Sequence, residues 1–201
     1  YIELRPGVLD SFIHELRGNA YSNAGLPGTA IEAYDAAIKS AGDANTIWIE
    51  MKLGQMYAQN GEFENAINQF IAIYEKTDNE YAKAQANYLL GQTYLTMGMP
   101  EQAYARFQDN VTNYPRSYDS YSGLVALVSA GIEVNELNRG IVDYNVGEYG
   151  LAIEALTRYI NLGGEQQDGT PYYYRALSLR ALDELDAAIA DFDVIIEQYP
   201  D

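Results

Sequence analysis

A reactive site needs particular side chains brought together, and this chain holds few of the usual ones. His14 is its only histidine, and it has no cysteine to share a metal with. Glu15 beside it does not complete a site, because neighbouring residues of a helix point to different sides. The stretch "GLPGTA", Gly25–Ala30, lacks the lysine and the preceding strand of a phosphate-cradling loop. "NLGGEQQDGT", Asn161–Thr170, has calcium-friendly composition without the alternating acidic loop, and it reads as a turn. A two-carboxylate glycosidase site needs a pair held about 5–9.5 Å apart across a cleft. The acids here are scattered through helical patterns, as on solvated faces. Asn110-Val111-Thr112 matches a glycosylation triplet but falls inside an expected helix. The sequence therefore points to no catalytic residue, no cofactor and no metal ligand, and the chain reads as a binding protein rather than an enzyme.

Charge narrows the partners. With 29 acidic against 12 basic residues the formal charge is −17, a field that repels a phosphate backbone and argues against nucleic acid. No apolar run is long enough to cross a bilayer. The chain opens on Tyr1 rather than Met, which reads as a fragment or a processed product with any targeting segment removed.

What remains is binding chemistry, and a repeat positions it. A small residue recurs at Gly18, Gly54, Gly91, Gly140 and Ala176. Each is followed at a fixed interval by a turn residue: Gly25, Gly61, Gly98, Gly147 and, more weakly, Asp183. An alanine then follows at Ala30, Ala66, Ala103, Ala152 and Ala188, and a large residue at Tyr34, Phe70, Phe107, Leu156 and Phe192. Glycine inside a helix costs about 1 kcal/mol relative to alanine, so its recurrence at one place implies close approach of two helices. The middle glycine supplies a left-handed residue that ends the first helix. Pro27, Pro100 and Pro171 stand where helices begin, Pro115 and Pro200 where they end, and Pro6 precedes the first.

This pattern resembles the tetratricopeptide repeat over nearly the whole chain. The resemblance implies an all-α, right-handed superhelix of about five helical hairpins, the first helix of each lining a concave groove. The spacing from Ala30 to Ala66 exceeds the usual 34 residues of the family by two, so helices or connections are lengthened.

The interval breaks once. From Ala103 to Ala152 there are about 13 residues too many, enough for one helix of about 20 Å but not for a hairpin. Tyr118, Tyr121, Leu124, Val125 and Val128 recur at helical spacing between Pro115 and Gly131. A single added helix is expected over residues 117–130, joining sub-arrays 1–115 and 133–201 of one solenoid and changing the superhelix direction. Residues Asn113–Ile160 also resemble the helical region of bacterial soluble lytic transglycosylases. That likeness implies a non-catalytic accessory region of a cell-wall enzyme, binding peptidoglycan glycan outside the bacterial cytoplasm, in the periplasm or cell envelope. The alternative is a stand-alone interaction module that binds an extended peptide or protein partner.

The groove implied by the resemblance is lined by Asn19, Trp48, Met51, Gln55, Gln59, Tyr88, Gln92, Tyr144 and Tyr173, which are the candidate binding residues. Amides pair with peptide groups or sugar hydroxyls, and aromatic faces add apolar contact. Family members that grip acidic C-terminal peptides use a clamp of lysines, arginine and asparagines. At the matching places stand Glu15, Met51, Gln55, Gln85 and Leu89, and only Asn19 fits that clamp. A solenoid also needs its terminal apolar faces covered, so a further segment or a partner subunit is expected over the last helix.

Overall fold

The computed structural model describes residues 8–42, 44–163 and 168–199, and among these it shows eleven helices and no strand. Pro6, Pro200 and the middle of the Asn161–Thr170 turn lie outside the described residues. The chain forms two compact units divided between Arg106 and Phe107, inside a helix and ahead of the inserted one.

The first unit contains α1 (Val8–Asn23), α2 (Pro27–Ser40), α3 (Ile47–Gln59), α4 (Phe63–Lys76), α5 (Glu80–Thr96) and the start of α6 (Pro100–Asn113). The second holds the rest of α6, then α7 (Tyr118–Ser129), α8 (Glu136–Asn145), α9 (Tyr149–Asn161), α10 (Thr170–Ala181) and α11 (Leu185–Gln198).

The turn residues behave as their type dictates. Gly25, Gly61, Gly98 and Gly147 have φ between 70° and 86°, and Asp183 holds φ 64° in the place where the others have glycine. At each, the very next residue reaches back over the helix end. Glu62 N–H donates to Tyr57 C=O at 2.8 Å, Glu148 to Asp143 at 2.9 Å and Glu184 to Leu179 at 2.9 Å. The long first helix α5 is capped by Asn79, whose side chain accepts from Ala82 N–H at 3.1 Å.

Hairpin packing turns on the small residues. A β-carbon added to Gly18 would stand 2.5 Å from the Tyr34 ring, one on Gly54 2.6 Å from Phe70, and one on Gly140 2.5 Å from Leu156. The large residue therefore lies across the glycine of its own hairpin. It also reaches onward: Tyr34 clusters with Leu53 and Met56, and Phe70 with Ala86 and Leu90.

The added helix is present as α7, over Tyr118–Ser129, with Ser117 at its start and Gly131 (φ 71°) just beyond its end. It packs on α6 by a related but looser contact in reverse order. Phe107 comes first, and a β-carbon on Gly123 would meet it at 3.2 Å.

Candidate functional site

In the first unit, α3 and α5 present their outward residues to one cleft of about 350 Å³. Gln55 and Gln59 stand one turn apart on α3, with Gln92 and Thr96 on α5 and the rings of Phe63 and buried Phe70 of α4 also lining the cleft. The Gln92 side chain donates to the Tyr88 hydroxyl at 2.8 Å, which holds its amide upright on the helix. The wall holds no charged side chain. Amides and hydroxyls over an apolar floor can pair with peptide N–H and C=O groups without requiring a charge on the ligand.

Next to this cleft a polar network is already internally engaged. Lys52 Nζ donates to Glu15 at 2.7 Å and to Asn19 at 3.0 Å, and the Tyr34 hydroxyl donates to the same Asn19 oxygen at 2.9 Å. Burial, with the Glu15 charge second, raises the Tyr34 pKa above the ordinary phenol value.

The second unit has a wider cleft of about 890 Å³, walled by Tyr173, Tyr174, Tyr199, Arg116, Asp168 and Gln198. Tyr173 and Tyr174 meet edge to face at 5.4 Å between centroids, and Tyr174 also meets Tyr144, outside the cleft wall, at 5.2 Å. Behind it, Arg175 makes a two-pronged bond to Asp191, at 2.8 and 2.6 Å, tying α10 to α11.

One titratable group of this unit is buried. Asp143 on α8 is 2% exposed, its Oδ2 has no hydrogen-bond partner, and Arg139 Nε lies 3.7 Å away. Burial pushes its carboxyl up to about 6, against the pull of Arg139 and with the help of Glu148 and Glu136.

Comparison with known families gives two matches of one description. Residues 16–82 match a tetratricopeptide-repeat model, and residues 85–117 and 172–201 match a second tetratricopeptide-repeat model. The chain is a tetratricopeptide-repeat protein. Among solved structures, the TPR2AB domain of yeast Sti1 in its pHSP90 complex is similar, at 21% identity and a TM-score of 0.50. The likeness covers 94% of this chain and 78% of that one, and at such identity it speaks for the shared fold. No curated protein matches. None of these matches adds support to the likeness with lytic transglycosylases.

The tetratricopeptide register places the candidate residues unevenly. Gln55, Gln59 and Gln92 share the first cleft, and Tyr173 lines the second. Trp48 is 48% exposed at the start of α3, and Tyr88 and Tyr144 are half-buried. Asn19 faces Lys52 and Tyr34. Met51 is a correction: at 2% exposure it lies in the core with Ala66, Phe70 and Leu90 and offers no surface. It stands one turn before Gly54 on the same side of α3, so it is drawn into the hairpin seam. Leu89 and Thr93, which also line the first cleft, and Tyr174, Gln198 and Tyr199, which line the second, were not among the expected residues. Of these, Leu89 and Thr93 each follow a groove candidate of α5, Tyr88 and Gln92, by one residue and stand one turn apart from each other.

Proposed function

We propose that this tetratricopeptide protein is a non-catalytic scaffold that binds an extended, uncharged or basic peptide segment of a partner protein. The observation that carries the reading is the amide-lined cleft of Gln55, Gln59 and Gln92. Its side chains suit the peptide backbone itself, and its wall offers no lysine or arginine to an acidic tail. The chain's charge of −17 further disfavours an acidic ligand. The similar yeast domain is in a pHSP90 complex, which fits a peptide or protein partner as the class of ligand. This chain, with Glu15, Met51, Gln55, Gln85 and Leu89 at the places matching the acidic-tail clamp, is suited to a different segment.

A second reading follows from the likeness of residues 113–160 to lytic transglycosylases and from the tyrosine-walled cleft. Tyr173 and Tyr174 supply ring faces, and Arg116, Asp168 and Gln198 supply planar polar groups of the kind that pair with sugar hydroxyls. Under it the chain is an accessory region of a cell-wall enzyme in the bacterial envelope.

Binding to an array of extended peptides separates the two. Gln55→Ala with Gln92→Ala is expected to weaken peptide capture about tenfold, a loss of about 1.4 kcal/mol, with thermal stability unchanged. Capture of peptidoglycan fragments that is lost in Tyr173→Ala, together with no peptide binding, would replace the first reading by the second.

A further inference from the structure

The fourth repeat departs from the others at one place. Three residues beyond the small residue of the first helix stand Tyr21, Tyr57 and Tyr94 in the first three repeats, and each ring packs against a buried apolar cluster. In the last repeat the place is taken by Leu179, which is buried. In the fourth, the hairpin that follows the added helix α7, it is Asp143, a shorter and ionisable residue.

A cavity of about 140 Å³ opens beside it. Tyr121, Leu124, Val125 and Val128 of α7 and Leu151 of α9 wall it, and Arg139 and Asp143 of α8 are its charged residues. Close-packed interiors hold few voids larger than a water molecule, and a cavity of about 150 Å³ has room for a six-carbon ring. Val125, Val128 and Leu151 are 39–46% exposed, whereas Asp143 and Leu124 are 2% exposed. The rim is thus apolar, and the acid lies within.

Asp143 Oδ2 and Arg139 Nε are both buried, neither has a hydrogen-bond partner in the protein, and they stand 3.7 Å apart. Glu136, the other acid of α8, is already held by Arg158 at 3.0 and 3.1 Å. One orphan atom needs a donor and the other an acceptor. An ammonium brings donors alone and a carboxylate acceptors alone, whereas a hydroxyl brings both on one oxygen. Two atoms 3.7 Å apart are within reach of a single oxygen at ordinary hydrogen-bond lengths of about 2.7–3.2 Å.

We propose that this cavity binds a phenolic group, its ring against Leu124, Val125, Val128 and Leu151, its hydroxyl donating to Asp143 Oδ2 and accepting from Arg139 Nε. The ligand's ring supplies the apolar bulk that tyrosine supplies in the first three repeats. The group is a free phenol or the tyrosine of a partner chain. The cavity shares no residue with either cleft, so its test is independent of the peptide-binding reading.

Amide proton–nitrogen NMR spectra of the full chain read the binding, in titrations with phenol, toluene, benzylamine, benzoate and benzamide. Phenol is expected to shift resonances of α7, α8 and the start of α9 with a millimolar or tighter Kd, at least about tenfold tighter than the other four. Asp143→Leu, which gives the fourth repeat the residue of the last, is expected to cost phenol at least about tenfold. Val125→Trp at the exposed rim is expected to do the same with helicity unchanged, which keeps the test open if the buried substitution misfolds. Pentapeptides with a central tyrosine or phenylalanine separate the sources. A tyrosine peptide that binds more tightly than phenol assigns a partner's side chain, and binding of phenol without the peptide assigns a free small molecule. No phenol binding, any of the four comparison compounds binding as tightly as phenol, or unchanged phenol affinity in either folded variant overturns the proposal.

Discussion

Replacing Gly54 by alanine tests the packing rule on which the hairpins rest. Alanine is the better helix former by about 1 kcal/mol, so an exposed site would gain stability. At Gly54 the new β-carbon would lie 2.6, 3.0 and 3.1 Å from three carbons of the Phe70 ring. Carbon contacts are comfortable at about 3.5–4.0 Å, so the ring must retreat by up to about 1 Å. Phe70 is 1% exposed and packed among Met51, Ile73 and Leu90, so a retreat toward the cleft it borders would cost it those contacts. Overpacking costs about 1–3 kcal/mol, and a contact as short as 2.6 Å belongs in the upper part of that range, about 2–3 kcal/mol. Two effects of opposite sign therefore compete, and the steric one wins. Gly54→Ala is expected to destabilise by about 1–2 kcal/mol, or to lower the melting temperature by about 2–8 °C. Gly150→Ala on α9 is the control, because a β-carbon there meets nothing within 4 Å. It is expected to be neutral or to stabilise by up to about 1 kcal/mol. Chemical denaturation followed by far-ultraviolet circular dichroism measures both. In the double variant with Phe70→Leu, the smaller side chain should relieve part of the Gly54→Ala cost, giving a coupling in a double-mutant cycle. Gly54→Ala as stable as the parent, or costs that simply add with Phe70→Leu, would refute close helix approach as the reason for the glycine.

Two further outcomes follow from other places in the fold. Asp143 has a folded-state pKa of about 6, above the ordinary carboxylate value, so the folded form binds the proton more tightly. Stability is therefore expected to rise as pH falls through 6, and the cost at neutral pH has a ceiling of about 3 kcal/mol. Asp143→Asn should flatten the melting-temperature profile between about pH 4 and 7, and an unchanged slope would show that another group sets it. Asp183 is the one described non-glycine residue with positive φ. Asp183→Gly is expected to stabilise by about 0.5–1 kcal/mol in urea denaturation, and a loss of stability would show that the aspartate side chain itself holds the turn.

The helices and their ends were legible because glycine, alanine and proline mark them at a fixed interval, and a left-handed turn leaves little choice of residue. Even the weakest match, Asp183, adopts the backbone of the glycines it replaces. The candidate cleft was legible only in part. Counting along α3 put Met51 and Gln55 on one surface, yet the close approach at Gly54 draws Met51 into the core. The same effect explains Asp143, which stands three residues beyond Gly140 and shares its packed side. A charged residue on that side of a glycine-marked helix is a readable sign of burial. The tyrosine cleft was harder, because its wall joins Arg116, Asp168 and Gln198, which are distant in sequence.

The reversed contact of α7 bears on how such a protein can grow. A large residue followed by a glycine makes the contact between α6 and α7, where elsewhere a glycine followed by a large residue makes it. The joint is thus indifferent to which partner comes first, so an odd member can be spliced into an array of pairs without inventing a new interface. Lengthening by single helices, and not only by whole duplicated hairpins, becomes an available step for lineages and for designers alike.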